Sequence, residues 1–236
     1  MEPVIELAHV SKRFVRRTEG SRPFRDLLRL GQPAEADRYL WALRDVSLRI
    51  HQGEAVGILG RNGAGKSTML KIIAGTMQPT SGKVTVRGTI APLLQLGAGF
   101  TPQLSGRENL FLNASFYGLT RRQVVALYDD IVEFAELRDF MEMPLGHYSS
   151  GMQMRLGFAI AIHLKADILL VDEALAVGDQ AFQRKCLEKV RERRQDGCTL
   201  VLVSHSPETI AQFCERSVVV EGGLVVPGKA GGPLGD

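Results

Sequence analysis

The most constraining feature of the sequence is a glycine-rich run at positions 60–68, GRNGAGKST. Four residues separate Gly60 from Gly65, and Lys66 and Ser67 follow directly, which is the spacing of a phosphate-binding P-loop. An apolar run precedes the loop at 55–59, and a helical pattern of apolar residues follows it at 69–73. A strand, a glycine-rich loop and a helix N-terminus in this order form a site where backbone N–H groups bind phosphate. The sequence therefore predicts a nucleoside-triphosphate site rather than a glycine-rich turn without a ligand.

Each residue type in this loop has a chemical role. Glycines let the backbone turn its N–H groups toward the phosphates, the Lys66 ammonium supplies charge for the terminal phosphates, and the Ser67 hydroxyl can ligate Mg²⁺. The predicted nucleotide contacts are Gly60, Arg61, Asn62, Gly63, Ala64, Gly65, Lys66, Ser67 and Thr68.

Two carboxylates follow a second apolar run, ILLV at 168–171. A P-loop needs an acidic partner for its metal ion, so Asp172 is predicted to hold Mg²⁺ and Glu173 to polarise the attacking water. His205 follows an apolar run at 200–203, and a parallel sheet would bring it beside Glu173 at the carboxyl edge. A solvated strand end and an ordinary surface histidine are the alternatives. Because Glu173 and His205 are predicted to lie at the same edge of the sheet, a catalytic role is favoured over these two alternatives.

A run rich in serine and glycine, YSSGMQMR at 148–155, precedes another helical pattern. Ser149, Ser150 and Gly151 would lie at the helix N-terminus, where N–H groups can bind an anion. A plain serine N-cap accounts for most such sequences, so the run alone leaves both interpretations open.

At this point the chain resembles a known family, the ABC ATPases. The run at 148–155 resembles the ABC signature motif LSGGQ, with Ser149 in place of its Leu and Met152 in place of its second Gly. LLQLGAGF at 93–100, LSGRENLFLNAS at 104–115 and DEALAVGD at 172–179 are similar to the ABC ATPases that export capsule, O-antigen and teichoic acid. The resemblance extends from about residue 5 to residue 226. It implies an α/β fold of the P-loop NTPase type, an ABC cassette with a mostly parallel core sheet, a small antiparallel β layer and a helical subdomain near residues 100–165.

The resemblance also implies site residues that the patterns alone do not assign. Asp179 would be the acid of the D-loop, which meets the opposing subunit, and Gln95 is the candidate Q-loop contact to nucleotide and Mg²⁺. Phe14 is the candidate for stacking on adenine, with Trp41 and Tyr39 as rivals. The signature residues would contact the ATP of a second copy in a head-to-tail homodimer; they are Ser149, Ser150, Gly151, Met152 and Gln153.

The activity implied by the resemblance is ATP hydrolysis, with Glu173 and His205 as catalytic residues and ATP and Mg²⁺ as cofactors. It would drive a lipid-linked polysaccharide across the cytoplasmic membrane through integral membrane permease subunits, with this chain at the cytoplasmic face. An ATPase of another transporter class and a soluble ABC ATPase are the alternatives. A P-loop kinase or GTPase is disfavoured by the signature run and by Glu173.

Composition fits one domain of this kind. The 236 residues are 44% hydrophobic, enough for a sizeable core, and a net charge of +3 is too small for a polybasic nucleic-acid binder. Cys186, Cys198 and Cys214 form no CxxC pair and are typical of reduced, packed thiols. The sequence shows neither a signal peptide nor a run of roughly 18 apolar residues, so another subunit is expected to form the membrane path.

Residues 15–40 depart furthest from a minimal cassette. From position 12 to position 30 the chain has seven basic and two acidic residues, and Pro23 and Gly31 can bound a short amphipathic helix. A solvated insertion packed on the cassette and a basic helix at the membrane surface are two open interpretations, the second giving Arg22, Arg25 and Arg29 a role in export. The glycine- and proline-rich tail, 227–236, is expected to be flexible.

Overall fold

The computed structural model describes residues 2–15, 39–94, 96–172 and 178–228. The strands are β1 (Ile5–Val15), β2 (Tyr39–Ile50), β3 (Ala55–Leu59), β4 (Ser81–Val86), β5 (Ile90–Leu93), β6 (Ile168–Val171), β7 (Thr199–Val203), β8 (Arg216–Glu221) and β9 (Leu224–Pro227). The helices are α1 (Lys66–Ile73), α2 (Gly106–Phe116), α3 (Arg121–Ala135), α4 (Ser150–His163), α5 (Gln180–Gln195) and α6 (Pro207–Phe213).

The larger sheet has the strand order β5-β6-β7-β3-β8-β9. Every neighbouring pair in it is parallel except β8 and β9, which form an antiparallel hairpin. Its central strands are buried along nearly their whole length because helices and the second sheet cover both faces. The predicted mostly parallel α/β core is confirmed, and the chain turns between β8 and β9 at Gly222 and Gly223.

The smaller sheet is antiparallel, with the order β2-β1-β4, and it confirms the predicted β layer. In this sheet β1 continues to Val15 and β2 begins at Tyr39. The register between the two strands shifts three times along the pair. His9 in β1 and Asp45 in β2, at φ 52° and 49°, interrupt the regular alternation of side chains along these strands.

The region from residue 106 to residue 163 is helical as predicted, in three separate helices. Two short 3₁₀ turns, Arg138–Phe140 and Leu145–His147, lie between α3 and α4. A capping box at Thr120 begins α3, and its buried face includes Val124, Ile131 and Val132. Val125 is 59% exposed because it lies on the solvent side of that helix.

Two apolar clusters lie on opposite faces of the larger sheet. Alternate residues of a strand point to opposite faces, so Leu169 and Leu200 join the cluster under α2–α6, whereas Leu170 and Val201 join the cluster under α1 and the antiparallel layer. Cys186, Cys198 and Cys214 are buried and unpaired with one another, as predicted. In the part of the chain that the structure describes, no helix has the length and apolar character to span a membrane.

Candidate functional site

The carboxyl ends of three parallel strands bring the predicted site residues to one edge of the sheet. The P-loop follows β3, Asp172 follows β6 and His205 follows β7. The strand β7 lies between the other two, with Val203 paired to Ile58 and Leu202 paired to Val171. Ligands of open α/β sheets bind at this edge, so the topology supports the predicted grouping of loop, acid and histidine.

Two glycines of the P-loop occupy positions that no other residue fits. Gly60 and Gly65 have φ 151° and 114°. A Cβ atom at Gly60 would lie 2.4 Å from the carbonyl oxygen of Val220, and one at Gly65 would lie 2.2 Å from that of Ala42. Both neighbours are backbone atoms, which cannot rotate away as a side chain can. The loop is therefore held tightly between β2 and β8.

The N-terminus of α1 is arranged to bind an anion. Its N-cap residue is Gly65, which makes no side-chain cap, and the first turn carries no acidic residue. The backbone N–H groups at this end carry partial positive charge. Lys66 is 6% exposed, and its ammonium donates to the carbonyl oxygens of Gly60 at 2.8 Å and Arg61 at 3.2 Å. The loop itself thus positions the charge predicted to meet the terminal phosphates.

Two oxygen groups predicted to bind Mg²⁺ lie in contact. The Ser67 hydroxyl donates to Oδ2 of Asp172 at 3.3 Å, across 105 residues of sequence. A hydroxyl and a carboxylate are hard oxygen donors of the kind Mg²⁺ takes, usually together with phosphate oxygens and water. The described residues contain no cluster of three or more His, Cys, Asp or Glu side chains suited to a metal ion. A hydroxyl and a carboxylate in contact fit an ion whose other ligands are phosphate oxygens of a bound nucleotide and water.

A cavity of about 500 Å³ opens beside the P-loop. It combines P-loop residues with an apolar wall, and its lining is Phe14, Leu40, Trp41, Ala42, Asn62, Gly63, Gly65, Lys66, Ser67, Thr68, Leu94 and Asp172. Phe14 and Trp41 are the aromatic rings of that wall. The Tyr39 ring instead packs under the Arg13 guanidinium, with 4.0 Å between the guanidinium carbon and the ring centroid. The cavity geometry thus keeps Phe14 and Trp41 as candidates for stacking on a base.

The signature run begins α4. Ser149 is the N-cap, and its hydroxyl accepts from the N–H of Met152 at 3.2 Å. Ser149 and Ser150 are exposed, whereas Gly151, Met152 and Gln153 are half-buried. A Cβ atom at Gly151 would meet only Ser149 Oγ, at 3.8 Å, so the surface over this helix end is open. An anion can approach these N–H groups from outside the subunit.

Asp179 is joined to the signature helix. Its Oδ1 accepts from the N–H groups of Ala181 and Phe182 and caps α5, while its Oδ2 pairs with Arg155 of α4. The hydrogen bond from the Phe182 N–H, followed by the bond from Ala181 and the Arg155 charge, lowers the pKa of the Asp179 carboxyl. The Asp179 carboxylate is therefore charged at neutral pH. Its two oxygens are oriented by the N-terminus of α5 and by Arg155.

Several predicted residues lie outside the described ranges. They are Glu173 and Gln95, together with the basic segment at 16–38 and the tail beyond residue 228. Their roles stay predictions.

Known proteins match both the sequence and this geometry. The sequence profile of the family described as "ABC transporter" matches residues 43–176, more than half of the chain. The O-antigen export system ATP-binding protein RfbB of Klebsiella pneumoniae is 43% identical over 225 residues, which cover 94% of this chain and 91% of that one. The teichoic acids export ATP-binding protein TagH of Levilactobacillus brevis is 47% identical over 178 residues, covering 75% of this chain and 49% of that one.

The chain belongs to the ABC transporter family.

Solved structures agree with this membership. The dimeric post-hydrolysis structure of the ATP-binding cassette MJ0796, bound to ADP and Pi, matches with a TM-score of 0.74 and 25% identity, covering 96% of this chain and 98% of that one. The resemblance inferred from the motifs and the predicted fold class are thus both confirmed. The cavity beside the P-loop lies where the sequence predicts that the nucleotide binds.

Sequence reasoning missed part of the wall of this ABC cassette. Leu40, Ala42 and Leu94 line the cavity, yet the sequence analysis gave none of them a contact with the nucleotide. Leu94 directly follows β5, a strand that the pattern did not reveal because it has only four residues, one of them Pro92. Leu40 and Ala42 lie in the part of β2 where the register against β1 shifts, so the sequence does not show which side chains face the cavity.

Proposed function

We propose that this chain is the ATP-hydrolysing subunit of an exporter that moves a lipid-linked polysaccharide across the cytoplasmic membrane. The observation that carries the proposal is the 43% identity to an O-antigen export ATP-binding protein over nearly the full length of both chains. The match to a teichoic acid export protein supports the same class of cargo, a polymer carried on a lipid.

ATP would bind with its phosphates on the loop from Gly60 to Thr68 and its base against the apolar wall. The position of Lys66 supports contact with the terminal phosphates because its ammonium is already held at the loop. Phe14 is the proposed stacking residue, and Trp41, in the same wall, is the alternative. Either ring would stack its aromatic face on adenine.

Hydrolysis would take place where the P-loop, β6 and β7 meet. Ser67 and Asp172, with Gln95, are the proposed Mg²⁺ ligands, and the ion would neutralise charge on the phosphate oxygens. Glu173 would orient and polarise the attacking water. His205, exposed at the end of β7, would hold that water and the terminal phosphate from the other side.

Two copies would enclose the nucleotides. The open N-terminus of α4 supports an arrangement in which the residues from Ser149 to Gln153 cap the ATP of the second copy. Asp179 would meet that copy from its D-loop. The match to a dimeric ABC cassette supports the homodimer.

The homodimer would work on integral membrane permease subunits at the cytoplasmic face of the membrane. Closing of the two copies on ATP, and opening after hydrolysis, would be the movement passed to the permease near residues 95–104. No nucleic acid is a proposed partner.

The proposal is tested by gene replacement in the native host. Lys66→Ala should lose ATP binding, because a charge-assisted contact to phosphate is removed, and should retain the lipid-linked polymer inside the cell. Arg121→Ala, at an exposed position on α3, is the matched control and should export normally. Normal surface polysaccharide in the Lys66→Ala strain would refute an export role, and unchanged ATP affinity would refute the site.

A further inference from the structure

A second cavity, of about 380 Å³, lies at the edge of the larger sheet opposite the nucleotide cavity. Ile90, the first residue of β5, lines it together with Ala166, which lies two residues before β6. The nucleotide cavity is lined by Leu94 and Asp172, where the same two parallel strands end. The volume of the second cavity falls within the range of about 300–1,000 Å³ typical of small-molecule sites. This cavity is therefore separate from the site already described.

The inner wall of the second cavity is apolar. Leu164 and Ala166 are buried, and three larger apolar side chains are half-buried, namely Ile90, Leu119 and Leu127. These residues come from β5, from the turn after α2, from α3 and from the link between α4 and β6. A ligand with an apolar body would remove this wall from water, and the burial of apolar area favours binding.

Two exposed polar groups of the second cavity are hydrogen-bond donors. Gln123 belongs to the capping box of α3, where its Oε1 accepts from the Thr120 N–H at 2.9 Å and from the Thr120 hydroxyl at 2.7 Å. Its Nε2, a donor, is the part left for a ligand. Lys165, exposed on the link before β6, adds an ammonium group. Neither donor has a hydrogen bond or an ion pair with another residue in the ranges that the structure describes.

Tyr117 supplies a third donor. Burial raises the pKa of its phenol, so the hydroxyl stays protonated at neutral pH and can donate. Among the described residues that line the cavity, none is acidic. Asp167, which follows Ala166, is bonded to Thr89: its Oδ2 accepts from the Thr89 N–H at 2.7 Å and from the Thr89 hydroxyl at 2.8 Å. The polar groups of the cavity are thus complementary to a negatively charged group.

We propose that the second cavity is a binding site for a small amphipathic carboxylate. The apolar body of the ligand lies against the inner wall, and its carboxylate accepts from Lys165, Gln123 and Tyr117. The two oxygens of a carboxylate accept up to about four hydrogen bonds, enough for all three donors. Because the site lies across the sheet from the P-loop, ATP and the carboxylate bind to the same molecule at once. The inference does not depend on the proposed export function.

The test uses octanoate as the probe, with octanamide and octylamine as neutral and cationic analogues of the same length. Binding to the purified chain is measured by calorimetry, with and without a saturating non-hydrolysable ATP analogue. The variants that change the site are Lys165→Gln, Tyr117→Phe and Ala126→Phe. Ala126 lines the cavity from an exposed position on α3, so the larger side chain fills the cavity without displacing the core. Lys83→Gln is the matched control, since Lys83 is an exposed lysine on β4 of the smaller sheet.

Octanoate should bind with a dissociation constant of about 1 mM or below, as expected for a ligand of roughly ten non-hydrogen atoms. Octanamide and octylamine should bind at least about tenfold more weakly, because neither carries a negative charge. Lys165→Gln should raise the octanoate constant about tenfold through loss of a charge-assisted hydrogen bond, and Tyr117→Phe about threefold. Ala126→Phe should abolish binding. Lys83→Gln and the ATP analogue should each leave the constant within about twofold.

Other results would overturn the inference. No binding of octanoate at about 10 mM would refute the site, and equal affinity for octylamine would refute its preference for an anion. Binding that survives Ala126→Phe would lie elsewhere on the protein, and competition with the ATP analogue would place octanoate in the nucleotide cavity. Normal affinity for the ATP analogue shows that each variant is folded; if Ala126→Phe fails this check, Ala126→Leu takes its place. The proposed export function stands whichever result is found.

Discussion

Replacement of Gly65 by alanine gives the sharpest test of the P-loop geometry, because the same loop offers a matched control. Gly65 and Gly63 both have positive φ, 114° and 77°, so alanine at either position costs about 1–2 kcal/mol of backbone strain. Only at Gly65 would the new Cβ atom collide with backbone, 2.2 Å from the Ala42 carbonyl oxygen, whereas a Cβ atom at Gly63 has no neighbour within 4 Å.

The collision adds the cost of overpacking at a rigid position, about 1–3 kcal/mol. Gly65→Ala should therefore be less stable than Gly63→Ala by about 2 kcal/mol, or roughly 4–8 °C in Tm for a domain of this size. The displaced loop also moves the N-terminus of α1, so Gly65→Ala should lose at least about tenfold in ATP affinity relative to Gly63→Ala, which is 1.4 kcal/mol. Urea unfolding and titration with a fluorescent ATP analogue measure the two quantities. Equal stability of the two variants, within about 0.5 kcal/mol, would refute the close contact between the P-loop and β2.

Three further outcomes follow from the site and the core. Glu173→Gln should bind ATP yet release no phosphate, since an amide cannot act on water as a carboxylate does, and ordinary turnover would remove Glu173 from the catalytic role. Ser150→Arg should bind nucleotide as a monomer but lose ATPase activity, and mixing it with Lys66→Ala should restore at most one competent site per dimer; full activity of the single variant would contradict the sandwich. Burial raises the pKa of the Cys186 and Cys214 thiols to about 12, so both should react with a disulfide reagent at pH 8 only after unfolding in urea. Rapid labelling of Cys186 or Cys214 in the native protein would show that α5, or the end of α6 at Cys214, opens.

The sequence predicted the chemistry of the site better than its walls. The P-loop and the strand before Asp172 could be located because each combines a long apolar run with a fixed spacing of polar residues. The adenine contact could not be decided between Phe14, Trp41 and Tyr39. Their relative directions depend on the register of β1 and β2, which shifts three times along the pair. The structure places Phe14 and Trp41 at the cavity and Tyr39 beside Arg13.

The sequence also could not predict how the loop at residues 96–105 packs on Gly157 and bonds to Asn109 and Asn113. Gly157 stands in an ordinary apolar helical pattern, and nothing in that pattern shows that a backbone segment from residue 96 will rest on it. Asn109 and Asn113 are four residues apart on a helix, a spacing typical of one helix face. Whether that face meets solvent or a loop is decided only by tertiary packing.

The contacts around the P-loop also determine the stage of synthesis at which a nascent chain can first bind ATP. Gly60 is pressed against the Val220 carbonyl and Gly65 against the Ala42 carbonyl, and Gly223 in turn lies close to Ala42 and accepts a hydrogen bond from Arg44. The motif at 60–68 is therefore shaped by a hairpin translated about 160 residues later, at roughly 5–20 residues per second. We expect ribosome-bound chains that end before Val220 to bind no ATP even though they contain the whole motif. The ribosome-bound intermediate would therefore hold no nucleotide until the hairpin of β8 and β9 has emerged.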